Sequence, residues 1–129
     1  MILVDSSVWI DYFNGNQTQQ TDWLDSSLGN TPIIIGDLIL TEVLQGFRSD
    51  KEFKIAKDLL LNIPLMSMGG QELAIESAIN YRSLRKKGLT VRKTIDVIIG
   101  TFCIHHQLKL LHDDRDFDPM VKFLNLKII

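Results

Sequence analysis

Short apolar runs punctuate this chain: Ile2-Leu3-Val4, Ile33-Ile34-Ile35, Leu65-Met66 and Lys109-Leu110-Leu111-His112. Each is too brief for a buried helix, and the Ile-rich ones suit a strand covered on both faces. Between them the apolar residues recur at helical spacing. Positions 39, 40, 43, 44 and 47 after Gly36-Asp37 lie on one face of a 3.6-residue period. Further helices are expected from Ser6 to Phe13, from near Gln19 to Leu28, from Ser49-Asp50 to about Leu61, from Gln71 to Lys87, from Thr94 to His106, and from Phe117 to Leu124. Gly88 closes the longest of these, and Asp118-Pro119 sits at the start of the last. Leu126 to Ile129 reads as a final edge strand. Short strands alternating with helices predict an α/β fold with a parallel sheet between two helical layers.

Composition narrows the classes of function. At 129 residues, with no repeat or linker, the chain is expected to form one domain over 1–129. Hydrophobic residues at 45% and charged residues at 23% exclude a disordered chain. The single cysteine, Cys103, excludes a disulfide framework and a cysteine zinc cluster, and reads as a small core residue. No apolar run approaches the ~18 residues that span a bilayer, so no membrane partner is expected. Met-Ile-Leu-Val-Asp has neither the basic start nor the apolar length of a secretion signal, and a cytoplasmic location is expected. A net charge of -2 rules out a uniformly basic nucleic-acid binder, while leaving local patches open.

The chemistry concentrates in acids at strand and helix ends. In open α/β sheets ligands gather beyond the carboxyl ends of strands. Asp5 follows the first strand, and Asp113, Asp114, Asp116 and Asp118 follow Leu110-His112. Each also suits a cap or a solvated turn. Asp96 is harder to place as mere surface. It lies among Ile95, Val97, Ile98, Ile99 and Phe102, and a buried carboxylate there calls for a cation, a cluster of hydrogen-bond donors or a raised pKa. The helix dipole also favours its charge, and a cation partner is the expectation. Gly100, one turn further along the same face, leaves room for close approach. Glu42 falls at the edge of its helix's apolar arc and reads, by periodicity alone, as solvated. Several carboxylates brought together would form an oxygen-rich pocket suited to Mg²⁺ or Mn²⁺.

Six of the fourteen Lys and Arg residues, Arg82, Arg85, Lys86, Lys87, Arg92 and Lys93, fall in one short stretch that ends just before Asp96. They read either as a helix end favouring cations or as a phosphate-binding rim. His105 and His106 are adjacent on a helix and point apart. Trp9, Trp23, Tyr12 and Phe13 read as core or subunit interface. No phosphate-binding loop, nucleophile elbow or zinc-protease motif is present.

Four blocks carry a family resemblance: Ile-Leu-Val-Asp-Ser-Ser-Val-Trp-Ile-Asp-Tyr-Phe at the start, Leu-Thr-Glu-Val-Leu-Gln-Gly, Thr-Ile-Asp-Val-Ile-Ile-Gly, and Leu-Leu-His-Asp-Asp-Arg-Asp-Phe. In this order and spacing, the chain resembles PIN domains, and among them the VapC-type toxins of toxin–antitoxin pairs. The resemblance implies a three-layer α/β/α fold and a Mg²⁺- or Mn²⁺-dependent endoribonuclease. It places the family's four acids on Asp5, Glu42, Asp96 and Asp114, with Ser6 and Asp116 in support. Asp5 and Asp96 are the expected direct metal ligands, and Glu42 and Asp114 act through water or as acid/base partners. Where relatives commonly carry Thr or Ser two residues before the fourth acid, this chain has His112. An RNA substrate, a small VapB-like antitoxin reaching the surface near Trp9, Tyr12 and Phe13, and a homodimer are the implied partners. Two alternatives are a PIN fold that binds RNA without cutting it and a Mg²⁺-binding phospho-acceptor domain. The full set of acids disfavours the first. The second would carry an acid pair after the first strand and a phosphorylatable Asp at the end of a middle strand. Gly36-Asp37 and Ser67-Met68 after the middle strands offer only one acid between them.

Overall fold

The computed structural model describes residues 1–129. Its sheet has four strands, β1 (Ile2–Val4), β2 (Ile33–Gly36), β3 (Leu65–Met66) and β4 (Lys109–Leu111), in the order β3-β2-β1-β4. β1 pairs in parallel with β2, Ile2 against Ile33, and β2 with β3, Ile35 against Leu65. The chain forms seven α-helices: α1 (Ser6–Phe13), α2 (Gln19–Ser27), α3 (Asp37–Leu44), α4 (Asp50–Leu60), α5 (Gln71–Lys86), α6 (Thr94–His106) and α7 (Asp118–Phe123). The expected three-layer α/β/α class is the one observed.

Local chemistry explains most of the boundaries. Asp5 caps α1, Ser49 caps α4, and Thr18 and Thr21 form a reciprocal capping box at the start of α2. At the end of α5 the Leu89 N–H bonds Leu84 O and the Gly88 N–H bonds Arg85 O. Gly88 takes a φ of 79° there, the left-handed stop that its place in the sequence predicts. The expected last strand does not form. Residues 126–129 make one parallel bridge, Leu110 to Ile128, because Leu110 is the residue bonded by both Lys127 O and the Ile129 N–H.

The chain divides into two compact units, Met1–Ser67 with Leu111–Asp113, and Met68–Leu110 with Asp114–Ile129. In the first, Leu3, Val8, Trp9, Ile34, Ile35, Ile39 and Leu60 are fully buried. The Trp9 ring stacks on Phe13, with centroids 6.0 Å apart, and Phe13 meets Phe47 edge-on at 5.7 Å. Trp9 is therefore core, whereas Tyr12 and Phe13 remain half-buried. In the second unit α6 is buried along its length through Val97, Ile99, Phe102 and Cys103. Burial of each such large side chain contributes ~1.5–3 kcal/mol, which fixes α6 and the acid in its first turn.

Gly100 does permit close approach. A methyl group there would run into the Sδ of Met120, a fully buried side chain that would have to shift within the core. Gly100→Ala is expected to destabilise the protein by about 1–3 kcal/mol through overpacking. The denaturant midpoint reads this, and an unchanged midpoint contradicts it.

Candidate active site

Within the first unit, Asp5 follows β1 directly and its N–H donates to Leu111 O at 2.9 Å, fixing it at the carboxyl ends of two strands. It is 2% exposed. Its Oδ2 accepts the Ser7 N–H at 3.1 Å and the Ser7 hydroxyl at 2.7 Å. Asp5 is thus both a helix cap and a buried carboxylate at a strand end. Glu42, on α3, is half-buried, and its Oε1 accepts the Ser6 hydroxyl at 3.1 Å. Periodicity alone leaves Glu42 in solvent; the packing of α3 against α1 gives it this partner.

Within the second unit, Asp96 stands in the first turn of α6 and is 3% exposed. Asp114 caps the short 3-10 turn Arg115–Phe117, its Oδ1 accepting the Asp116 N–H at 2.9 Å. Asp96, Asp114 and Asp116 each offer a carboxylate oxygen within 4.8 Å of the others. At that spacing each pair of like charges repels by about 3–4 kcal/mol at an effective dielectric near 20, so the cluster attracts cations. Two side chains answer it. Lys93 Nζ lies 4.0 Å from Asp96 Oδ2 and 3.9 Å from Asp114 Oδ2, and Arg92 Nη2 lies 3.4 Å from Asp116 Oδ2. Buried Asp96 calls for a cation, and Lys93, three residues before it, is one.

The basic stretch consequently divides. Arg92 and Lys93 face acids, while Arg82, Arg85, Lys86 and Lys87 occupy the end of α5. Arg82, Lys86 and Lys87 line an open depression of about 300 Å³ with Ile79 and Ser83. Arg85 lies over the Tyr81 ring at 5.7 Å and Lys87 over Phe123 at 5.5 Å. His112, at the end of β4, is half-buried.

Two arrangements escape the sequence reading. The Ser7 hydroxyl, besides holding Asp5, accepts the Asp113 N–H at 3.1 Å. No spacing predicts a bond across this many residues, although the position beside Ser6 hints at a second hydroxyl. His105 Nδ1 lies 3.1 Å from both carboxylate oxygens of Glu76, joining α6 to α5, and Glu72 stands one turn before Glu76. His106 lies against Phe102, with ring centroids 4.5 Å apart, and, contrary to the expectation that the two histidines point apart, also meets His105 edge-on at 4.8 Å. In the first unit the Tyr12 hydroxyl donates to Asp25 at 3.0 Å, and burial followed by the Asp25 carboxylate pushes its phenol pKa up.

The PIN domain family model matches residues 2–122, and the chain belongs to that family. Among curated proteins it is 28% identical to the VapC ribonuclease Mb1587 of Mycobacterium bovis, over 98% of this chain and 96% of that one. The ribonuclease VapC11 of Mycobacterium tuberculosis matches at the same identity and coverage. Among solved structures the fold resembles VapBC2 from Rickettsia felis bound to a promoter DNA fragment. That likeness has a TM-score of 0.79 and 16% identity, covering 100% of this chain and 98% of that one. FitAcB from Neisseria gonorrhoeae gives a TM-score of 0.73 at 17% identity, covering 100% and 96%. No helix is long and apolar enough to cross a membrane.

Proposed function

We propose that this single PIN-like domain, residues 1–129, is a divalent-metal-dependent endoribonuclease and the toxin of a toxin–antitoxin pair. The observation that carries the reading is the convergence of Asp96, Asp114 and Asp116, with Asp96 almost wholly buried in an otherwise apolar helix. A structural protein gains little from three carboxylates at that spacing. The donor set fits the implied ion: every candidate ligand atom in the cluster is a carboxylate oxygen, which suits Mg²⁺ or Mn²⁺ over zinc. Asp96 and Asp114 would hold the ion, with Asp116 in support, and the family resemblance adds Asp5 as a further ligand and Glu42 as a ligand through water or an acid/base partner. When bound, such an ion supplies charge stabilisation for a phosphodiester under attack and acidifies water.

The chain's own residues do the rest. The packing of α6 and the cap at Asp114 hold the carboxylates in place before substrate arrives, which is what a preorganised charged site requires. Ser6 orients Glu42, a candidate proton acceptor, through its hydroxyl. Arg82, Arg85, Lys86, Lys87, Arg92 and Lys93 offer cations to the RNA backbone, which gives affinity without sequence preference. Hydrolysis by water leaves a 5′-phosphate and a 3′-hydroxyl.

The VapC names of the relatives and the VapBC complexes among the structural neighbours support a small antitoxin partner. Asp96 and Asp114 would receive a basic side chain of that partner, while its apolar residues cover Tyr12 and Phe13. Exposed Ile75 and Ile79 on α5 favour a homodimer through that helix. A cytoplasmic location fits an RNA substrate. Expression of the chain alone is expected to arrest growth, and co-expression of the adjacent small open reading frame to relieve it, the two proteins purifying together around a toxin dimer. A chain harmless on its own, with its nuclease intact and no small protein retained, overturns the toxin reading and leaves the nuclease.

A further inference from the structure

Adjacent serines at the start of α1 serve different acids. Ser6 turns its hydroxyl to Glu42, while the Ser7 hydroxyl donates to Asp5 Oδ2 at 2.7 Å. The Ser7 oxygen in turn accepts the Asp113 N–H at 3.1 Å. A hydroxyl has one proton, so the donor from Asp113 fixes the direction of the chain: Asp113 N–H to Ser7 oxygen, Ser7 O–H to Asp5 carboxylate. Capping α1 needs only the Ser7 N–H, which reaches the same Oδ2 at 3.1 Å. The hydroxyl bond and the link to Asp113 are additional to the cap. A short hydroxyl-to-carboxylate bond is of the charge-assisted kind, stronger than a neutral one.

We propose that Ser7 is a positioning residue for the nuclease reaction. Its hydroxyl holds Oδ2 of Asp5 and so fixes the rotation of that carboxylate. It also ties Asp5 to the backbone at Asp113, the residue before Asp114. A carboxylate that ligates a cation must give up its rotational freedom, and here that freedom is removed before the cation binds. Partners of this kind typically account for 10–100-fold in metal affinity. This inference rests on the reading of Asp5 as a ligand in a metal-dependent nuclease.

The test is Mn²⁺ binding by calorimetry on the purified chain and its Ser7→Ala and Ser7→Thr variants, with thermal midpoints and RNA cleavage alongside. Ser7→Ala is expected to weaken Mn²⁺ binding by about tenfold. Its cleavage rate should fall at limiting Mn²⁺ and recover at excess, with KM for RNA unchanged. Ser7→Thr, which keeps the hydroxyl, should bind Mn²⁺ as the parent does. If Ser7→Ala lowers the thermal midpoint, Ser7→Cys, nearly isosteric and a poor hydrogen-bond partner, replaces it with the same expectation. Undiminished Mn²⁺ affinity in the variants lacking the hydroxyl overturns the proposal, as does a Ser7→Thr protein weakened equally. A parent protein that binds no Mn²⁺ overturns the metal-nuclease reading itself, and this proposal with it.

Discussion

Asp96→Asn is expected to leave the fold in place and to lower RNA cleavage by at least ~10², the scale seen when a principal charge-stabilising group is removed. Asparagine matches aspartate in size, so the packing of Val97, Ile99 and Phe102 around it survives. What disappears is a negative charge that is 3% exposed, and therefore poorly screened by solvent. The loss also leaves Lys93, 3.9 Å from Asp114, with one carboxylate fewer to face. The variant should accordingly bind divalent cations more weakly while keeping its thermal midpoint within a few degrees. Cleavage within twofold of the parent would remove Asp96 from the site. Loss of cleavage together with loss of folded structure would make Asp96 a structural residue.

Replacement of Arg85, Lys86 and Lys87 by Gln is the second large effect. Each cation that neutralises a phosphate releases a counterion, so three fewer should reduce the slope of log affinity against log salt by about 2 for single-stranded RNA. Affinity should fall across unrelated RNAs alike, because backbone contacts carry no sequence information. These three cations are the suitable choice because Arg92 and Lys93 already face acids and their loss would disturb the metal cluster too. Arg85 and Lys87 rest against Tyr81 and Phe123, which holds their head groups at the surface at little cost in ordering. Unchanged affinity and salt slope would reduce the end of α5 to a solvated helix terminus.

Much of the fold is legible in the sequence because its boundaries depend on local chemistry. Ser49 and Gly88 act through bonds to residues within a turn, and the structure places their helices where those residues predict. The failed strand at 126–129 shows the converse. An apolar run specifies burial, whereas a strand needs a partner that offers a row of free groups, and Leu110 alone supplies them. Asp96 is conspicuous in the sequence because an acid inside an apolar helix is costly, and Lys93 stands three residues away, within local reach. Glu42 is not conspicuous, since its burial comes from the packing of α3 on α1. The Ser7 link to Asp113 and the His105 link to Glu76 join residues far apart in the chain, and only the fold reveals them. The family resemblance, not periodicity, is what singled out Glu42.

The most direct measurement maps the ends that the purified chain produces on RNA, with Mn²⁺ or Mg²⁺ and with excess EDTA. Internal cuts bearing 5′-phosphate and 3′-hydroxyl ends are expected to appear with the divalent ion, vanish in EDTA and return when the ion is restored. Cuts that persist in EDTA, or that carry 5′-hydroxyl and cyclic-phosphate ends, would contradict a carboxylate-held metal centre that directs water at the phosphodiester.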